Sequence, residues 1–325
     1  MIHTTTKTLE AAGFQLNGFL WTLFLNQISR FAVPMFFLIS GFVLELNYDS
    51  HPGFFSYLKR RFSRIFVPYL VWSAFYFLFI YTGGSSGNFL IDLLTGGASY
   101  QLYFIPTLCI FYLIFPLLHR FYNILSNKLV LAFLILAQFG LMSFDYYIKE
   151  FTYPDPVRVA ILGYSFFIIG MVSAHYKDQI IDFAVKAKNY LIGSVGVLGL
   201  YIFMQGRNVY YNTYDIKAFY SQWRPDILVY TICLGIILFY FFGKKRFQSP
   251  FFEKLSELSF FVFFVHVAVL EYIWKYVGNT LFNLIGGNFF GKFVFDPILF
   301  IFTSSISLLI AYIAHRLLRL SKLTG

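Results

Sequence analysis

Long apolar runs, broken by short polar stretches, set the pattern of this chain. A helix needs about 20 mostly apolar residues to cross the hydrocarbon core of a bilayer. Runs near that length recur at roughly 26–45, 65–82, 102–118, 128–145, 158–175, 189–205, 226–242, 258–276 and 294–314, which predicts nine full membrane spans. Helices satisfy their own backbone polar groups in lipid. The short alternating strands of an outer-membrane barrel are absent from the pattern. Pro34, Pro106 and Pro116 fall within these runs and imply local kinks, which membrane bundles tolerate. The expected fold is all-α, a polytopic transmembrane helix bundle. It forms a single domain over residues 1–325, with no soluble domain, low-complexity linker or clear internal repeat.

Composition agrees with that picture. Hydrophobic residues make up 58% of the 325 positions and charged residues only 12%, against about a quarter charged in an ordinary soluble domain. The net charge of +10 is read through its placement, and no nucleic-acid partner is expected. One set of loops holds Lys59, Arg60, Arg61, Arg64, Arg120, Lys128, Lys177, Lys186, Lys188, Lys244, Lys245, Arg246, Lys254, Arg316, Arg319 and Lys322. The alternate set holds Lys149, Arg158, Arg207, Lys217, Arg224, Lys275 and Lys292, sixteen cations against seven. Loops rich in Lys and Arg face the cytoplasm, so the C-terminus is expected inside. With nine spans the N-terminus is then outside, and His3 is expected at the outer boundary or in the outer half of the membrane. The start lacks the basic-then-apolar pattern of a cleavable signal peptide. Cys109 and Cys233 fall inside apolar runs and read as packing residues, and no zinc motif or other metal site is expected.

Several residues carry candidate chemistry. His3 is the favoured general base, because imidazole titrates near neutrality and can take a proton from a hydroxyl. Arg30 stands near the outer end of "SRFAVPMFFLISGFVLEL"; a cation there pairs, snorkels or faces a wet cavity. It reads either as an interfacial anchor or as a contact for an anion or hydroxyl. Ser40-Gly41 in the same run suits close helix packing. Arg61 and Arg64, in "YLKRRFSRIFVPYLVW", are three apart at a helix start and share a face. Two guanidiniums so placed suit a bidentate grip on phosphates, whereas ordinary inside-positive charge suffices for Lys59 and Arg60. His51, His119, His175 and His315 sit in or beside cytoplasmic loops, where solvated roles are expected. His266 lies mid-span, with Glu271 toward the outer end of the same helix. It reads as a neutral imidazole bonded to a neighbouring helix, or as a further candidate site group. Tyr100 and Gln101, in "SYQLYFIP", stand at the outer mouth of a span. The outer stretch "GRNVYYNTYDIKAFYSQWRP" mixes Tyr210, Tyr211 and Trp223 with amides and charges. Such aromatics suit a sugar face, or equally an interfacial aromatic belt.

Five segments resemble, in order and over essentially the whole chain, the acyltransferase 3 family of integral membrane acyltransferases. They are "SRFAVPMFFLISGFVL", "YLKRRFSRIFVPYLVWSAFY", "YQLYFIPTLCIFYLIFPLL", "GYSFFIIGMVSAHY" and "LSFFVFFVHVAVL". The pattern is most similar to the bacterial surface-polysaccharide O-acetyltransferases, such as that acting on enterobacterial common antigen. The family has ten spans, and its first helix carries an arginine, ten intervening residues and a histidine. "MIHTTT" resembles the end of that motif, which makes His3 the matching histidine. The arginine would fall eleven positions before His3, ahead of Met1, so the chain is expected to begin inside the first helix, as a remnant of it. Arg61 and Arg64 match the family's cytoplasmic Arg-x-x-Arg. Where relatives read Tyr-His-Leu-Trp, this chain has Tyr100-Gln101-Leu102-Tyr103.

The resemblance implies a bacterial inner-membrane O-acyltransferase that binds no cofactor and uses cytosolic acyl-CoA, with acetyl-CoA the expected donor. Arg61 and Arg64 would hold the donor; His3 would deprotonate the acceptor and Arg30 steady developing charge. The acceptor, a surface glycan or its lipid-linked precursor, would meet Tyr100, Gln101, Tyr210, Tyr211 and Trp223. Membrane lipids are the other expected partner. Two alternatives stay open: a polysaccharide or lipid exporter without acyl chemistry, and an inactive truncated relative. A transporter would be expected to show paired broken helices or repeat symmetry.

Overall fold

The computed structural model describes residues 1–13, 18–48, 53–148, 155–213, 221–243, 249–286, 288 and 290–316. No strand occurs among the described residues. In chain order the helices are α1 (Ile2–Ala11), α2 (Leu20–Ile28), α3 (Ala32–Leu46), α4 (Gly53–Phe75), α5 (Phe89–Thr95), α6 (Phe104–Arg120) and α7 (Tyr122–Leu125). They continue with α8 (Lys128–Tyr147), α9 (Asp155–His175), α10 (Lys177–Lys186), α11 (Lys188–Thr213), α12 (Pro225–Gly243), α13 (Pro250–Ile273) and α14 (Gly291–Arg316). Local chemistry sets several starts. Asn88 and Asn127 accept hydrogen bonds from the first free amides of α5 and α8, and Pro250 opens α13 with its fixed φ.

Every predicted apolar run is helical, but not every run is a full span. Among the described residues seven stretches are long and apolar enough to cross a membrane: Leu20–Leu46, Gly53–Ile80, Lys128–Tyr147, Asp155–His175, Pro225–Phe242, Pro250–Ile285 and Gly291–Arg316. An eighth arises if α10 and α11, bent by 84° at their junction, make one span. The remaining run is α6, a shorter helix of 17 residues. The count of nine therefore meets two exceptions, one short helix and one bent pair. Hydropathy registers how apolar a run is, and not where the backbone turns.

Side-chain placement is that of a bilayer protein. Large apolar residues such as Phe55, Leu129 and Leu136 are exposed, while Thr5, Asn26, Gln138 and Asp296 are fully buried. Apolar surface on this scale is stable only against lipid or a partner, and polar groups removed from water must find partners inside.

The chain divides into two compact units. The first comprises Met1–Ser29, Arg60–Pro106 and Gln248–Gly325. Its apolar core joins Leu258, Phe261, Val265 and Val269 of α13 to Ala311 and Ala314 of α14, with Trp72 packed alongside. The second comprises Arg30–Lys59 and Thr107–Phe247. There α3 and α9 lie backbone to backbone, since a Cβ on Gly41 would stand 2.1 Å from the Phe167 carbonyl oxygen and one on Gly170 1.9 Å from that of Leu38. Phe111 and Phe167 stack at 4.7 Å beside this seam, and Phe37 meets Phe111 edge-on at 5.1 Å.

Candidate functional site

In the first unit, α1 is a polar helix held by polar partners. Thr4, Thr5 and Thr8 are buried on it. Thr8 donates to Asp296 Oδ1 of α14 at 2.7 Å, and Thr22 of α2 donates to Oδ2 at 2.6 Å. Asn26 of α2 donates to Thr5 Oγ1 at 3.0 Å. One buried carboxylate thus ties three helices together, and the Asn26–Thr5 bond holds the first turn of α1, the turn that carries His3.

Around His3 the first unit gathers a group of rings. The His3 ring lies 4.8 Å from that of Tyr100 and 5.4 Å from that of His266. Tyr100 lies 6.1 Å from Tyr81, whose hydroxyl donates to Glu271 Oε1 at 2.7 Å. The same carboxylate oxygen pairs with Lys7 Nζ at 2.9 Å. His266 Nδ1 stands 3.0 Å and 2.8 Å from the carbonyl oxygens of Val262 and Phe263 on its own helix. Both partners are acceptors, so Nδ1 carries the proton and donates, and Nε2 is left as an acceptor. The imidazole is thus bonded within its own helix, which corrects the expectation of a neighbouring helix.

The turn of α13 that carries His266 is opened by a side chain. Tyr76 donates its hydroxyl to the Phe264 carbonyl at 2.7 Å and accepts from the Ala268 amide at 2.9 Å. Those two backbone groups are four apart, the pair a regular helix bonds directly. The hydroxyl is inserted into the ladder and brackets His266. Tyr76 also opens a wide-turned helical stretch, Tyr76–Ile80, at the end of α4.

Residues 81–103 form the connection that presents Tyr81 and Tyr100. Asp92, fully buried, accepts from Ser85 Oγ at 2.9 Å and from the Ser86 amide at 3.1 Å. Gly96 takes φ +79°, and a Cβ there would stand 2.3 Å from the Tyr103 backbone, so both conformation and space call for glycine. Gln101 is buried and accepts from Ser99 Oγ at 2.5 Å.

Arg61 and Arg64 belong to α4 of this same unit, Arg61 half-buried and Arg64 exposed. The other sequence candidates lie in the second unit. Arg30 is buried, in the tight turn Ser29–Phe31 between α2 and α3. The outer stretch is partly helical, because α11 runs on to Thr213. Tyr211 is covered by the Arg207 guanidinium at 5.5 Å, whereas the side chain of Tyr210 and residues 214–220 lie outside the described residues. Trp223 is 4% exposed and stacks on Phe37 at 6.2 Å. Packing occupies its ring, so it is not offered to a ligand as the sequence reading had it.

The second unit also holds a cluster that the sequence reading missed. Glu45, its side chain 1% exposed, lies 3.1 Å from His119 Nδ1 and 2.8 Å from His175 Nε2. Tyr48 packs on His119 at 4.5 Å and Tyr122 on His175 at 4.4 Å. Burial, with Tyr176 and Glu45 nearby, pushes the Tyr122 hydroxyl up to about 12. A lone glutamate ending an apolar run was the available signal, since an unpaired carboxylate there is costly. Among the described residues no group of three His, Cys, Asp or Glu side chains could hold a metal ion.

Comparison with known proteins identifies the family of the chain. Residues 1–316 match the family described as "Acyltransferase domain", the acyltransferase 3 family. A protein of Staphylococcus aureus (strain MSSA476), "Probable poly-beta-1,6-N-acetyl-D-glucosamine export protein", is 23% identical over 290 residues, covering 84% of this chain and 79% of that protein. The protein of the same name from Staphylococcus epidermidis is 25% identical over 288 residues, covering 84% and 78%. No solved structure matches the chain. With the match running from the His3 helix to the end of α14, the chain belongs to the acyltransferase 3 family of membrane acyltransferases.

Proposed function

We propose that this protein moves an acyl group, acetyl in the first instance, from cytosolic acyl-CoA to a hydroxyl of a cell-surface polysaccharide or its lipid-linked precursor. One observation carries the reading. His3 is held in a cluster with Tyr100 and His266, in the same compact unit as Arg61 and Arg64. His3 takes the proton from the acceptor hydroxyl as general base. Arg61 and Arg64 hold the donor's phosphates. Tyr100 and Gln101, in that same unit, contact the acceptor. The protein works in the bacterial cytoplasmic membrane with its C-terminus inside, and α6 and the bent α10–α11 pair complete nine crossings.

The name of the staphylococcal relatives favours a second reading, export of a poly-β-1,6-N-acetyl-D-glucosamine glycan. A deletion strain complemented with wild type, His3→Ala or Arg64→Ala separates the two. Surface glycan is collected and its alkali-released acetate counted. Transfer predicts that both variants lose ester acetate while glycan still reaches the surface. Export predicts that glycan is lost on deletion and restored by His3→Ala, and that outcome defeats the transferase reading.

A further inference from the structure

We infer that His266 is the second member of a two-imidazole proton relay, taking the acceptor's proton from His3 and delivering it to the thiolate that leaves the donor. This rests on the transferase reading and supplies what that reading lacks, a destination for the proton. In the reaction the acceptor oxygen bonds to the acyl carbon and the carbon–sulfur bond of acyl-CoA breaks. The proton leaves the hydroxyl for His3, passes to His266 and ends on the coenzyme sulfur as thiol. No oxidant, reductant or further co-reactant is needed.

Three observations converge on His266. The two rings are 5.4 Å apart and 36° from coplanar, a separation a proton crosses directly or through one water. Nδ1 of His266 is committed to the Val262 and Phe263 carbonyls, so Nε2 is the atom with a free lone pair. Accepting a proton there gives an imidazolium whose Nδ1 bond is already made, and no ring flip is required. The Tyr76 hydroxyl, wedged between Phe264 and Ala268, fixes the backbone on both sides of the ring.

The direction of the relay follows from helix lengths within the first unit. Tyr76, in the wide-turned stretch that continues α4, meets α13 at the level of His266, and Tyr81 meets it at Glu271. From Arg64 along α4 to Tyr76 the rise is about 18 Å, and from His266 to Glu271 along α13 about 7.5 Å. His266 therefore lies on the arginine side of the Tyr81–Glu271 contact. The extended arm of a coenzyme gripped by its phosphates at Arg61 and Arg64 would bring its sulfur toward His266.

The test uses the full-length protein in everted membrane vesicles with radiolabelled acetyl-CoA, following free thiol and alkali-labile acetate on endogenous glycan. The key variant is His266→Asn, whose amide nitrogen stands in for Nδ1 and preserves the bonds to Val262 and Phe263, but which cannot carry a proton. The relay predicts normal membrane abundance, a fall in kcat of roughly 100-fold and an unchanged KM for acetyl-CoA. It also predicts that adding His266→Asn to His3→Ala costs nothing more. A His266→Asn enzyme within threefold of wild type, with His3→Ala inactive, overturns the relay and leaves the transferase reading standing. If His266→Asn fails to accumulate, His266→Gln is read in the same way. A wild-type protein that transfers no acetate overturns both.

Discussion

Lys7 on α1 and Glu271 on α13 meet at 2.9 Å, each about one-fifth exposed. The pair ties the helix that carries His3 to the helix that carries His266. A partly exposed pair adds no more than about 1 kcal/mol to stability, so its value lies in register. Lys7→Met and Glu271→Gln are each expected to lower acyl transfer about tenfold, equivalent to ~1.4 kcal/mol, with little change in melting. The swap Lys7→Glu with Glu271→Lys restores most of the loss. Transfer assays on the four proteins check this, and a Lys7→Met protein as active as wild type contradicts it.

Asp296 accepts two threonine hydroxyls in a fully buried setting. Asp296→Ala strands two buried donors, each costing about 1–3 kcal/mol. We expect Asp296→Ala to melt well below wild type in detergent, Asp296→Asn to lie between them, and Thr8→Val to be the mildest. A melting order with Thr8→Val lowest would contradict the account.

Gly170 and Gly41 let α3 and α9 touch through their backbones. A methyl group at either position has to push the other helix away, because backbone cannot yield as a side chain tip can. Gly170→Ala and Gly41→Ala should each cost about 1–3 kcal/mol, read as a lowered melting temperature. Gly140→Ala, where a Cβ meets nothing within 4 Å, is the control expected to be neutral or stabilising.

Glu45 is held by His119 and His175 together. Losing one imidazole leaves the carboxylate a donor, whereas losing both leaves a buried charge uncompensated. His119→Ala or His175→Ala alone should cost about 1 kcal/mol, and the double variant about 3 kcal/mol or more. A double-mutant cycle on thermal unfolding measures the excess, and simple additivity would rule this account out.

The candidate site was legible in uneven measure. His3 is proposed from its resemblance to the end of a family motif, and Arg61 with Arg64 from helical spacing; the ring cluster around His3 came only from the structure. His119 and His175 read as solvated loop residues, because their shared partner Glu45 lies 74 and 130 positions away. Trp223 reads equally as a platform for sugar or as part of an interfacial belt, and only its burial against Phe37 shows a ring used in packing. Tyr76 gave no signal, being one aromatic among many in an apolar run. Asp296 did give one, a lone carboxylate within the run at 294–314, and the expectation that it must be paired names its partners only once the helices are assembled.

By itself the sequence determined the solvent and the secondary structure. Apolar length and the cost of an unbonded backbone in lipid act locally, within each run of about 20 residues, and they leave the helix as the solution at every run. Tertiary structure alone decided which polar groups meet: Thr8 and Thr22 with Asp296, Lys7 and Tyr81 with Glu271, and the Tyr76 hydroxyl with the opened turn beside His266. The reason is that a buried polar group is stabilised by its partner's position in space, which chain separation does not encode.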